Sequence, residues 1–332
     1  MEAPEAEFLY RGHEADVRAV SFLPQGRGLL SADGAGVLIV WTLDTRRAIR
    51  KWQAHSNVIY AADAIPSDPW CIISQGRDNV LRGWSGSEIL DEAVETPKPV
   101  FELAINALNF CRFSWCFSDV TDKENLLLAF SNFNKPELID VYDLRRRTYI
   151  SRALDPQAKS GMCLCTKLFR RSSTPDILIM AAGYEDGSIL IWDVKMKSIL
   201  GRIEVSKEPD VQADGLEGVA APAATEIASF STEFDQEGHV KWMKTASLPA
   251  AGVSEIAIRG DGRILATAGW DSKIRIFALK KLKPLAVLTA HRDGVQCVAF
   301  AWRATDTQPT EGLSSMLATG SKDKRVALYK IY

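Results

Sequence analysis

Apolar and polar residues alternate along this chain in short bursts, and the bursts recur. Four eleven-residue windows align without gaps: SQGRDNVLRGW ending at Trp84, AGYEDGSILIW at Trp192, TAGWDSKIRIF at Phe277 and TGSKDKRVALY at Tyr329. In each, an Asp lies six residues before the terminal aromatic: Asp78, Asp186, Asp271 and Asp323. Small residues precede the Asp and a period-two apolar run follows it, which predicts a strand, a tight turn and a second, antiparallel strand. Asp suits such a turn because its carboxylate accepts hydrogen bonds from backbone N–H groups nearby.

A second element precedes several of these hairpins. Gly12-His13, Ala54-His55 and Ala290-His291 are each followed by a short apolar strand, VRAVSFL, VIYAADAI and VQCVAFAW. His13 and His55 are 42 residues apart, Trp41 and Trp84 are 43. This period and its end markers resemble the WD repeat, a four-stranded propeller blade of about 40–45 residues. In that family a His, a strand Ser or Thr, the turn Asp and the aromatic form a buried hydrogen-bonded set. The resemblance assigns those roles to His55, Ser74, Asp78 and Trp84, and to His291, Asp323 and Tyr329 with a change of aromatic. Asp186 with Trp192, and Asp271 with Phe277, keep the turn and the aromatic without the His.

The aromatics that end repeats, Trp41, Trp84, Tyr142, Trp192, Phe277 and Tyr329, are spaced by 43, 58, 50, 85 and 52 residues. A gap of 85 is two periods, so it predicts a degraded repeat inside, with Trp242 on its last strand. The expectation is an all-β, seven-bladed WD-repeat β-propeller occupying 1–332 as one domain. Its blades fall roughly at 13–50, 55–90, 101–150, 159–200, 201–250, 252–285 and 291–332, the fifth degenerate. Residues 7–11 read as an apolar strand ahead of the first His; in the family such a strand pairs with the C-terminal blade and closes the ring, removing open edges. Three departures stand out. The first blade has Ala35 at the turn position with Asp33 close by, the third has Pro136 there, and the Ala-rich stretch 206–238 lacks alternation.

Composition adds limits. The 332 residues are 46% apolar and 25% charged, ordinary for a globular chain, and the net charge of −2 implies no basic nucleic-acid face. The acidic start and the absence of any run near 18 apolar residues lead to the expectation of a soluble intracellular protein without a signal peptide or membrane span. The six cysteines include no CxxC pair, and Cys163 and Cys165 share one side of a strand, so reduced, buried thiols are expected and no metal or cofactor. No GxSxG, HExxH or phosphate-cradling GxxxxGK[ST] is present. Three of the four histidines sit at the repeat position and His239 stands alone, so the chain is expected not to be an enzyme.

A closer resemblance is carried by VSEIAIRGDGRILATAGWDSKIRIF, KPLAVLTAHRDGVQCVAFA, LATGSKDKRVALYKIY, INALNFCRFSWC and the opening RGHEADVRAVSFL. These are similar to the ASTRA-associated protein 1 family and its animal relatives, the G-protein β-subunit-like proteins. That likeness implies a scaffold of the nucleus and also of the cytoplasm. Its partners would be protein subunits of the ASTRA chromatin-associated assembly and the TTT co-chaperone that matures phosphatidylinositol-3-kinase-related kinases. No nucleic acid, membrane or small-molecule substrate is expected. A G-protein β subunit itself is not expected, because no heptads precede the first blade. The residue before each turn Asp falls on a propeller's docking rim: Arg77, Glu185, Trp270 and Lys322 are the candidate partner-binding residues, Trp270 first, against the alternative that it packs on a neighbouring blade. YDLR at 142–145 resembles the WDxR motif of cullin–RING ligase substrate receptors, the alternative function; the plain reading of Arg145-Arg146-Arg147 is a solvated loop.

Overall fold

The computed structural model describes every residue except 1–2, 27, 120–123, 158, 172–173, 205–210, 215–218, 223–225, 235–239, 250–251, 302–314 and 332; the side chains of 25, 171–175 and 204–245 also lie outside the described set. His239 and much of 206–238 are therefore outside the described residues. The period-two bursts become strands joined as four-stranded antiparallel sheets, the blade pattern expected from the resemblance, and the all-β class is as expected.

Two compact units are formed, one by 1–103 with 250–332 and one by 104–249. In the first unit, blade 1 is Val17–Phe22, Gly28–Asp33, Val37–Thr42 and Ala48–Gln53. Blade 2 is Ile59–Ile65, Cys71–Gly76, Val80–Ser85 and Pro99–Ala104. Blade 6 is Val253–Ile258, Ile264–Gly269, Ile274–Ala278 and Lys283–Leu288. Blade 7 takes Val295–Phe300, Met316–Ser321 and Arg325–Lys330, and its fourth strand is Ala6–Arg11 from the other end of the chain. Phe8, Leu9, Tyr10 and Arg11 pair with Leu328, Ala327, Val326 and Arg325. This is the N-terminal pairing expected of the family.

The second unit holds blade 3, Ser114–Phe117, Leu126–Ser131, Ile139–Asp143 and Thr148–Leu154, and blade 4, Cys163–Arg171, Thr174–Tyr184, Ser188–Asp193 and Ser198–Glu204. A fifth sheet follows: Val211–Asp214, Val219–Pro222, Glu226–Phe234 and Val240–Ser247. Among the described residues its second and third strands share two residue pairs only, Val219 with Ser229 and Ala220 with Ala228. The expected seven blades are thus corrected to six regular ones and this irregular sheet. The physical reason is composition: VAAP offers small side chains and a Pro without an N–H to donate, a poor basis for a ladder. Trp242 lies on the sheet's last strand and pairs with Phe230.

The core lies between sheets rather than within them. Leu38, Val40 and Trp52 of blade 1 bury against Ile72 and Trp84 of blade 2, and Phe22, Ile39 and Trp41 bury against Val326, Leu328 and Tyr10 of blade 7. In the second unit Leu127, Val141 and Leu154 meet Leu168, Leu178 and Trp192. Each middle strand is therefore covered on both faces and reads as an apolar run, VLIVWT or SILIWD, whereas the last strand of blade 1, AIRKWQ, buries only Trp52. Full burial of one such Leu, Ile or Val removes surface worth about 1.5–3 kcal/mol.

Candidate functional site

Blade 1 carries a complete polar set. His13 Nδ1 lies 2.7 Å from Asp33 Oδ2, its Nε2 lies 2.7 Å from Ser31 Oγ, and Trp41 Nε1 donates to the same Oγ at 2.8 Å. The order of protons follows from the ends: an indole N–H can only donate and a carboxylate can only accept. The Ser hydroxyl therefore donates to His Nε2, and Nδ1–H donates to Asp. The same chain recurs in blade 2, where His55 reaches Asp78 at 2.9 Å and Ser74 at 2.8 Å, and Trp84 donates to Ser74 at 2.8 Å. Burial pushes the His55 pKa down despite Asp78, which keeps the neutral tautomer this chain requires. In blade 7, His291 reaches Asp323 at 3.1 Å and Thr319 at 2.8 Å, with Tyr329 buried where the Trp would stand.

The other blades reach a satisfied turn by different means. Asp186 accepts the N–H and hydroxyl of Ser188 and an N–H of Arg202 at 2.7 Å, away from the buried Trp192. Asp271 takes two bonds from Arg275, at 3.1 and 2.6 Å, while Phe277 offers no polar atom. In blade 3 an amide stands in for the imidazole: Asn109 Nδ2 donates to Ser131 Oγ at 2.7 Å and to the Cys163 carbonyl of blade 4 at 2.8 Å.

Spacing alone missed the first set, because Asp33 stands two residues after its Ser while Asp78 stands four after Ser74. A carboxylate reaches the imidazole from either place, since the position equivalent to Asp33 in blade 2 is Gly76, where a Cβ would approach His55 Nδ1 to 2.3 Å. The nearby Asp33 in the sequence was the available signal. Thr319 and Asn109 were also missed.

The turn carboxylates are unsuited to the role of general acid. Asp33, Asp78, Asp186 and Asp323 are all held below the ordinary value: burial would raise them, and their hydrogen bonds and neighbouring His or Arg charges outweigh it. Asp271 is lowered chiefly by its bonds from Arg275. Groups fixed as anions cannot serve as general acids near neutral pH. Among the described residues no cluster of three or more His, Cys, Asp or Glu could hold a metal, and no helix is long and apolar enough to cross a membrane.

What the turns do is aim side chains outward. The residue before the turn Asp gives its own N–H to the carbonyl that opens the blade's first strand: Arg77 to Val58, Trp270 to Gly252, Lys322 to Gly294, and Glu185 to Met162. Gly34 does the same toward Asp16 in blade 1. In the first unit Arg77, Trp270 and Lys322 thus occupy equivalent exposed positions. Trp270 is 55% exposed, with its indole against Gly252, where φ is +93° and a Cβ would come within 2.1 Å of Cδ2. The indole thus meets a glycine of its own blade. Glu185, in the second unit, folds back so that Oε2 accepts the Met162 N–H at 2.8 Å. In the YDLR stretch, Asp143 is buried and accepts from Arg146, while Arg145 pairs with Glu124 at 3.1 Å.

These geometries meet a consistent set of relatives. The WD domain, G-beta repeat pattern matches residues 5–42, 242–277 and 282–330. The mouse guanine nucleotide-binding protein subunit beta-like protein 1 is 32% identical over 99% of this chain and 97% of its own length. ASTRA-associated protein 1 of Verticillium alfalfae is 28% identical over 100% of this chain and 94% of its own, and that of Schizosaccharomyces pombe is 25% identical over the full length of both. By its polar sets, its blades and this end-to-end likeness, the chain belongs to the WD40-repeat family of ASTRA-associated protein 1 and guanine nucleotide-binding protein subunit beta-like protein 1.

Proposed function

We propose that the chain is a non-catalytic scaffold subunit of an ASTRA-type chromatin-associated assembly, working in the nucleus and engaging proteins through the turns that precede its strand hairpins. The assembly is suggested by the names of its relatives. The same likeness supports a link to the TTT co-chaperone and to maturation of phosphatidylinositol-3-kinase-related kinases. The observation that carries the protein-binding reading is Trp270. A Trp held on a glycine, half in water, with exposed Lys322 at the equivalent turn of the next blade, has the composition of an interface anchor.

Affinity purification of the intact chain with and without Trp270→Ala tests this. The variant should lose about 1 kcal/mol of stability, as half of an indole's contact disappears, yet lose most of its co-purified ASTRA and TTT subunits. Undiminished recovery of those subunits overturns the role of Trp270, and their absence from the unaltered chain overturns the assembly.

A further inference from the structure

Trp270 stands between two glycines that belong to two blades. Its indole lies on Gly252, and its backbone lies against Gly294 at the opening of blade 7, where a Cβ would come within 3.2 Å of the Trp270 carbonyl oxygen. The Gly294 carbonyl in turn accepts the Lys322 N–H at 3.0 Å. The turn of blade 6, the opening of blade 7 and the turn of blade 7 therefore form one continuous stretch of surface in the first unit. On it Trp270, Arg292, Lys322 and Lys324 are exposed.

The charge of this stretch has one sign. With every carboxylate counted in full and histidine neutral, residues 269–275 carry a net charge of +1, 290–294 carry none and 321–325 carry +2. The carboxylates within these segments are engaged. Asp271 is held by Arg275, Asp323 by His291, and Asp293 Oδ1 accepts the Gly294 N–H at 2.6 Å. The cations are not: the side chains of Arg292, Lys322 and Lys324 have no ion-pair partner among the described residues. Beyond the stretch, the opening of blade 1 is balanced, since Asp16 pairs with Arg18 and Glu14 with Lys51. Glu255, on the first strand of blade 6, accepts the Val298 N–H about 10 Å along the strand that Gly294 opens. Counting Glu255 as well lowers the total only from +3 to +2.

An indole half in water offers an apolar contact, and unpaired cations beside it attract anions and turn other cations away. We infer that this stretch of blades 6 and 7 binds an acidic segment of a partner protein. An apolar side chain of the segment lies on the Trp270 indole, and its aspartate or glutamate residues face Arg292, Lys322 and Lys324. The inference rests on the reading of Trp270 as an interface anchor and adds the chemistry of what is anchored.

The probe is a displayed library of short random peptides selected on the intact chain, with the winning peptide labelled and titrated by fluorescence anisotropy at low and high salt. The expected winners carry an apolar residue among Asp and Glu and bind more weakly as salt rises. Trp270→Ala should weaken binding of the winner about tenfold or more, and Lys322→Glu about fivefold. Lys280→Glu makes the same change of charge past the third strand of blade 6, at the end away from Trp270, and should leave binding unchanged. Lys322 and Lys280 are both exposed, so these two variants should melt with the original. No consensus, a neutral or basic one, or equal binding by Lys322→Glu overturns the proposal. Equal weakening by Lys280→Glu also overturns it, since net charge alone would then explain the attraction. So does tighter, Lys322-dependent binding of a mixed-sequence oligonucleotide, which would make nucleic acid the ligand. The two readings fail separately: a neutral consensus beside subunits lost from Trp270→Ala overturns only the acidic segment, and subunits retained by Trp270→Ala overturn the anchor itself.

Discussion

Asp323 offers a direct measure of what a buried polar set contributes. Its pKa falls from 3.8 to about 2. Burial would raise it; the hydrogen bond from His291, the Arg292 N–H, the His291 charge and the Arg325 N–H outweigh that. Its side chain is 7% exposed, so solvent screens these bonds little. At about 1.4 kcal/mol per pKa unit, the difference is worth about 2 kcal/mol. The folded state binds this proton less readily than the unfolded state. The contribution is therefore complete above about pH 4, declines as the pH falls and is gone below about pH 2. Urea unfolding of the original chain and of Asp323→Asn, followed from about pH 5 to about pH 3, isolates the group from the other carboxylates. The stability gap between the two should narrow by about 1 kcal/mol over that range, half of the full amount. A gap that stays constant with pH refutes a depressed carboxylate, and one that widens reverses the sign of the coupling.

Other outcomes follow from the same geometry. Ser31→Ala strands the Trp41 N–H and His13 Nε2 in the interior and should cost about 2–3 kcal/mol, while Ser31→Thr, which keeps the hydroxyl as Thr319 does in blade 7, should cost far less; equal losses in urea unfolding refute the bonded set. Deleting residues 1–11 leaves Arg325–Lys330 as an open edge and removes Tyr10 from the core, so the chain should melt lower and aggregate, and an unchanged melting temperature by calorimetry refutes the pairing. Gly252→Ala combines a positive φ with a collision at the indole. It should destabilise by about 1 kcal/mol or more and shift the tryptophan emission, and an unaltered spectrum shows that Trp270 does not rest there.

Blade 2 was readable because its Ser, Asp and Trp sit on opposite sides of one turn at fixed spacing, so the hydrogen-bonded chain is written in register. Blade 1 makes the same bonds with the carboxylate two residues earlier, and a spacing rule passes over it. Asn109 was hidden for a different reason: an amide that spans from Ser131 to a carbonyl of blade 4 has no partner nearby in sequence. The fifth sheet is irregular where alternation fails, and there the sequence and the structure agree.

The pairing of Ala6–Arg11 with Arg325–Lys330 sets a schedule for biosynthesis. Ala6–Arg11 leaves the ribosome some 320 residues ahead of its partner strand, roughly 15–60 s at ordinary elongation rates. Throughout that interval Phe8, Leu9 and Tyr10 have no ladder to join. Until Arg325–Lys330 emerges this apolar segment is open to other partners, so a nascent chain so arranged gains from any factor that shields it.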